Sequence, residues 1–249
     1  MENELQTADV RVRDLLLMTL TVSSGAIDAI SYLGLGKVFT AFMTGNIVFL
    51  GLRTASAGDF NVVRIAVALA VFSAGVFLAR LIAKSLRNSD RRFRRNSDEG
   101  SGVWPREVTI ALGIVVIAQA GFLAVWVAAG GWPSNGVAYI LVGIWALGMG
   151  VQSAAGLSFG VTGVFTTAAT GTLVVLMDSV AAWPHPATER RRLVGVLVSL
   201  FSGAAAGGLL LQYARAYAPV LPLIGAIFSL AIAAYEMRKR GAEDDQGRR

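Results

Sequence analysis

The sequence contains no cysteine, which excludes disulfides, thiolate chemistry and Cys-ligated zinc or iron–sulfur sites. It contains one histidine, His185, set between two prolines in Trp183-Pro-His-Pro186. A lone turn histidine offers no second imidazole for a metal cluster and reads as a turn residue. Charge is scarce: only 15% of residues are Asp, Glu, Lys or Arg, where soluble domains carry roughly 25%. A cleavable signal peptide is not expected. Residues 1–14 mix acids and bases, and the first apolar run is too long and too polar inside for an h-region.

What the chain has instead is apolar length. Of its 249 residues 55% are hydrophobic, and the mean hydropathy is +0.61. This is the composition of an all-α membrane protein whose partner is the lipid bilayer. The 28 glycines fit that class, because glycine lets membrane helices approach closely. The net charge is +6 and the isoelectric point about 10.2. Nucleic-acid binding would also account for a basic chain, but the basic residues cluster between apolar runs, where they orient a membrane protein. No nucleic-acid partner is therefore expected.

Six runs have the length of a span: residues 15–36, 62–83, 108–129, 137–159, 193–211 and 221–235, the last extended by its flanks. Two shorter stretches, 38–53 and 164–182, fall between them. The first would measure roughly 24 Å as a straight helix, short of a ~30 Å hydrocarbon core. Residues 84–106 form a polar, basic linker that cannot bury much.

The short stretches repeat one another. Phe39-Thr40 pairs with Phe165-Thr166, and Thr44-Gly45 pairs with Thr170-Gly171, both at an offset of 126 residues. Phe72-Ser73-Ala74-Gly75 is echoed by Phe201-Ser202-Gly203-Ala204. Each half, 14–130 and 135–238, reads span, short stretch, span, span. If all eight stretches crossed, basic loops would fall on both sides. If both short stretches dip in and return, six spans remain. Arg11, Arg13, the linker, Arg190–Arg192 and Arg238–Arg240 then lie on the cytoplasmic side, with both termini. Three spans per half is an odd number, so the halves are expected as inverted repeats, an arrangement many transporters use. A seven-span version, in which the first short stretch crosses, also satisfies the charge counts but treats the halves differently.

The polar residues within apolar stretches are the candidates for function. Irregular backbone at membrane depth must be buried in protein or line a wet cavity. Thr44-Gly45-Asn46 and Thr170-Gly171-Thr172 suit such an interruption: glycine permits a turn, and the side chains offer oxygens to freed backbone or to a solute. The plainer alternative is small residues packing between close helices. Thr40 and Thr166 belong to the same repeated pattern. Asp28 lies about 20 Å into the first run if helical. A carboxylate in a span costs roughly 2.5–3.5 kcal/mol and marks a proton relay, an ion site or a buried structural bond. Gly25-Ala-Ile-Asp28 aligns with Gly150-Val-Gln-Ser153, so the second half has no acid at that place. Gln119 and Gln152 are polar candidates for which interhelical bonds are an equal reading. Gly156-Leu-Ser158-Phe-Gly160 fits the G-x-S-x-G hydrolase pattern but ends an apolar helix and has only His185 as a histidine base. Gly203-Ala-Ala-Ala-Gly207 fits GxxxG and reads as packing within the chain.

The run from Gly25-Ala-Ile-Asp28 through Lys37-Val-Phe-Thr40-Ala-Phe-Met43-Thr44-Gly45-Asn46 resembles the YoaK-like family of multi-pass bacterial membrane proteins. Asp28 and the Met43-Thr44-Gly45-Asn46 motif carry the resemblance, which spans nearly the whole chain. It implies a multi-pass membrane protein and supplies no reaction or substrate. The residues themselves point to a transporter in the cell (inner) membrane that moves a small solute or ion between two inverted repeats, with proton coupling as one version. A passive channel, a non-transporting scaffold or an enzyme acting on lipid are the alternatives. No cofactor, metal or catalytic residue is expected. The topology has a direct test, since the native chain has no thiol: single cysteines at Ser89 and Ser97 should resist an impermeant thiol reagent added outside intact cells and react once the membrane is opened.

Overall fold

A computed structural model describes residues 2–93, 106–157, 169–181 and 187–247. These residues form α1 (Glu2–Gly34), α2 (Met43–Thr54), α3 (Val62–Phe93), α4 (Arg106–Ala128), α5 (Asn135–Gly156), α6 (Ala169–Ala181), α7 (Ala187–Tyr213) and α8 (Val220–Gly247), with a 3₁₀ turn at Arg215–Tyr217. Six helices are long and apolar enough to cross a membrane, over Arg11–Gly34, Val62–Leu86, Glu107–Ala128, Asn135–Gly156, Thr188–Tyr213 and Arg215–Arg238. The protein is thus an all-α membrane protein with six candidate spans. The helices overrun the apolar stretches that specify them. α3 continues to Phe93 through residues expected as linker, because Lys84–Arg92 is rich in helix-forming charged side chains that need no burial. Linker residues 94–105, Thr166, His185 and Ser158–Gly160 of the G-x-S-x-G pattern lie outside the described residues.

Glycines end two of the spans. Gly36 and Lys37 take positive φ values of 89° and 57°, and the Lys37 amide donates back to the Tyr32 carbonyl at 2.9 Å, the longer bond of a Schellman ending. Gly130 and Gly131 do the same for α4, where the Gly131 amide donates to Trp126.

The Arg64 guanidinium, at the start of α3, donates to the Leu35 carbonyl at the end of α1. α2 therefore leaves and returns on one side of the bundle, which removes the seven-span alternative. At 12 residues it is about 18 Å long. α2 adds Phe49 and Leu50 to an apolar cluster formed by the ends of α1 and α4 and the starts of α3 and α5. α6 adds Leu176 to a second cluster, built from Leu16, Leu17, Val108, Leu193 and Ala233 at the opposite end. Each end of the bundle has one short helix.

The interruption itself sits elsewhere than the motifs suggest. Residues 35–42 are the non-helical segment, and Thr44-Gly45-Asn46 is the first turn of α2. Thr170-Gly171-Thr172 likewise opens α6. Gly45 has no positive φ. It is small because a methyl there would come within 2.6 Å of the Phe42 ring and 2.9 Å of the Phe39 ring.

α1 packs most extensively against α7, and α3 against α5. Both crossings are glycine contacts, and they match residue for residue. A methyl on Gly25 would strike the Leu200 carbonyl; one on Gly150 would strike the Phe72 carbonyl. Gly203 lies on the Val22 carbonyl as Gly75 lies on that of Leu147. Adding 125 to an α1 residue and 128 to an α3 residue converts one crossing into the other. The same offsets relate two polar ties. Arg192 lies 3.9 Å from Asp14 and 3.7 Å from Glu189. Its counterpart Arg64 lies over the Tyr139 ring, and Tyr139 hydrogen-bonds Asn61. Gly25→Ala and Gly150→Ala should therefore each lower the melting temperature, costing about 1–3 kcal/mol as overpacked contacts do. Gly113→Ala, which meets nothing within 4 Å and removes a glycine from a helix interior, should not lower it in the same detergent melt.

Candidate functional site

The non-helical segment after α1 brings backbone N–H and C=O groups to a place surrounded by apolar side chains. Such groups must find partners, and two side chains supply them. Asp28 Oδ1 accepts from the Thr40 amide at 3.0 Å and from the Ala41 amide at 2.8 Å. Asn46 is fully buried. Its Oδ1 accepts from the Phe39 amide at 3.0 Å, while its Nδ2 donates to the Phe39 carbonyl at 2.7 Å. This two-way pairing fixes the orientation of the carboxamide, because either flip would set like against like. Nδ2 also reaches the Met43 sulfur at 3.6 Å.

Rings close the rest of the segment. Phe39 lies against Tyr32 of α1 and Phe49 of α2, at 5.1 and 5.6 Å between centroids, and those two rings are 6.2 Å apart, so the three form one cluster. Phe42 meets the edge of Phe39, and Phe60 continues the stack from Phe49 at 4.4 Å. The segment is thus held by a carboxylate from below, a carboxamide from the side and aromatic faces around it. Asp28 lies fewer than two turns before the end of α1 at Gly34, not at the helix centre. The Thr40 side chain is buried in the same place, and its hydroxyl has no hydrogen-bond partner.

The structure gathers Asp28, Thr40, Gly45 and Asn46 into one site and disperses the other candidates. Thr44 faces outward from α2 and Thr170 from α6; Thr172 is buried on α6. α2 and α6 share no extensive contact. Gln119 of α4 accepts from the Trp145 indole N–H at 2.9 Å, beneath a close stack of Trp145 on Phe122. Gln152 of α5 donates to the Leu20 carbonyl of α1 at 3.4 Å, and its own oxygen has no partner. Thr166 falls outside the described residues. Among the described residues no three His, Cys, Asp or Glu side chains group as a metal site.

Three contributors lack a signal in the sequence read alone. Phe39 acts through its backbone. Arg64 sits at the start of a span, where it resembles any flanking cation. Ser24 reads as a small helix residue of the kind that bonds back within its own turn, yet its buried hydroxyl has no partner.

Six spans, two short helices at opposite ends and a buried carboxylate–carboxamide clasp define a polytopic membrane protein with an interrupted first half. Within that class, the chain belongs to the family described as "Protein of unknown function (DUF1275)", which matches residues 16–234. It is 33% identical over 169 residues to the UPF0700 transmembrane protein YoaK of Bacillus subtilis (strain 168), covering 68% of each chain. No solved structure matches it.

The clasp makes an atom-level prediction. Asp28→Asn keeps an oxygen toward Thr40 and Ala41 and should cost about 1 kcal/mol, the charged part of the bond. Asn46→Asp also changes one atom, but it sets a carboxylate oxygen against the Phe39 carbonyl. It should cost more, about 2–4 kcal/mol. Equal melting temperatures for the two variants in detergent would contradict the geometry.

Proposed function

We propose that this protein carries a small solute or ion across the cell (inner) membrane by alternating access between two inverted repeats. The reading is supported by one observation above all. The α1·α7 and α3·α5 crossings share their glycine and carbonyl register under exchange of the halves, as a duplicated unit inserted in both directions would produce. The short helices at opposite ends of the bundle add to it. The excess of Lys and Arg at the end holding Arg11, Arg13, Arg190 and Arg238 supports a cytoplasmic position for that end and for both termini.

In this reading Asp28 couples a proton or cation to the solute. Its carboxylate holds the segment ahead of α2, so charge neutralisation at Asp28 loosens Thr40 and Ala41. Segment position and ion occupancy then bias the same two-state element. The reading assigns the protein no catalysis. A scaffold without transport is the second reading, favoured by the use of Asp28 and Asn46 as backbone partners.

Proteoliposomes loaded with panels of small polar solutes and monovalent cations, under an imposed pH gradient, discriminate these readings. Transport predicts flux above that of protein-free vesicles, with its gradient dependence lost in Asp28→Asn while the protein stays inserted. Absence of protein-dependent flux across the whole panel, from correctly inserted protein, would leave the scaffold reading.

A further inference from the structure

The tightest crossings join helices from different halves of the sequence. α1 pairs with α7, to which α6 also packs and beside which α8 lies against α1. α3 pairs with α5, against which α4 packs, and α2 lies on α3. The packed bodies are therefore α1, α6, α7 and α8 on one side, and α2, α3, α4 and α5 on the other. Exchange of the halves converts one body into the other. The bodies meet along α4·α8 and a lighter α1·α5 contact, and at one end through the Arg64 bond to Leu35 and the hold of Asp28 on the segment ahead of α2. Glycine-on-carbonyl register locks each body internally, so relative motion falls on the seam between them.

The α1·α5 part of that seam carries an unmatched polar pair. Gln152 Nε2 reaches across from α5 to the Leu20 carbonyl of α1. Ser24 lies one turn further along α1, on the same face as Leu20. Both Ser24 and Gln152 are buried, at 0% and 1% exposure, and Ser24 Oγ and Gln152 Oε1 have no hydrogen-bond partner. An orphaned buried oxygen costs about 1–3 kcal/mol, and here each body carries one, on two helices that touch each other. Ser24 stands near the middle of the span Arg11–Gly34, where inverted-repeat transporters hold their solute. The unmatched chemistry is dominated by acceptors: a carboxamide oxygen, a weakly engaged main-chain carbonyl, and a hydroxyl that can accept as well as donate. α1 carries no charge between Asp14 and Asp28, and α5 carries none at all.

We propose that Ser24, Gln152 and the Leu20 carbonyl form the midplane binding site of the pathway, on the seam between the two composite bodies, and that it takes a small hydrogen-bond-donating solute without an anionic group. The proposal rests on the transport reading, and it moves the solute contact from the Thr-Gly motifs of the short helices to the crossing of α1 and α5. Gln152 is the specificity-determining side chain, because its oxygen turns away an acceptor, and Ser24 completes the donor's second contact.

The absence of native cysteine allows a test that needs no known solute. Ser24→Cys and Gln152→Cys, each in the full chain in native membrane vesicles, are treated with the small cationic reagent aminoethyl methanethiosulfonate. Leu112→Cys, in the apolar core at the end of the bundle that holds Leu16 and Leu193, is the reference, and folding of each variant is checked by monodisperse elution in detergent. At least one of the two seam thiols should react about ten-fold or more faster than Leu112→Cys, whose labelling reports only local opening. Reaction of both folded variants at the Leu112→Cys rate overturns the site. If only one variant folds, its rate decides. Failure here leaves solute flux in proteoliposomes intact, whereas labelled seam thiols in a protein without flux overturn transport and keep a wet seam.

Discussion

Backbone polar groups buried among apolar side chains must find partners, and this protein meets that constraint with two side chains. The chain leaves regular helix at Leu35 and resumes it at Met43. Between those points Asp28 and Asn46 take the main-chain groups of Phe39, Thr40 and Ala41 that a helix would have satisfied internally. The carboxylate is expensive to bury, and its cost is offset by amide donors that reach it in fixed positions. α2 depends on this arrangement. Its N-cap, Phe42, offers no side-chain oxygen, so the start of the helix is set by the clasp and the ring stack rather than by a cap.

The two ends of the bundle solve a common problem with different chemistry. At one end the arginine of α7 faces Asp14 and Glu189. At the other the corresponding Arg64 faces the Tyr139 ring, and Asn61 bonds that tyrosine and caps α3 by accepting from the Arg64 amide. An arginine at a helix start is kept in both, while its carboxylate partners become neutral groups. The Arg192 tie joins opposite charges that are only partly buried, so salt screens it more than the Arg64 tie, whose partners are neutral. The two ends thus differ in electrostatics while the α1·α7 and α3·α5 crossings keep the same helix register.

Much of the fold was legible in the sequence because apolar length and charge clustering act through the bilayer, a solvent with simple rules. Six spans and two short apolar stretches follow from those rules, and the offset of 126 residues between the short stretches from their repeated motifs. Asp28, Thr40 and Asn46 were legible as polar residues in apolar runs, and they meet in space. The interruption was misplaced because glycine in Thr44-Gly45-Asn46 suggests a turn, whereas Gly45 is small for the sake of Phe39 and Phe42. The backbone role of Phe39 has no side-chain signature. Gln119 was legible as polar but not as the partner of Trp145, since interhelical pairing requires the crossing register, which no single span contains. The composite bodies were hidden for the same reason: sequence order suggests halves that pack as halves, while the glycine contacts join α1 to α7 and α3 to α5.

The central claim is that side chains, not helix, hold the backbone of residues 39–41. Amide hydrogen exchange of the full chain in lipid nanodiscs measures this directly. The account predicts that the Phe39, Thr40 and Ala41 amides exchange as slowly as those in the middle of α1, despite lying outside any helix, and far more slowly than the exposed turn at residues 55–59. Exchange of the three amides at the rate of that turn would contradict it.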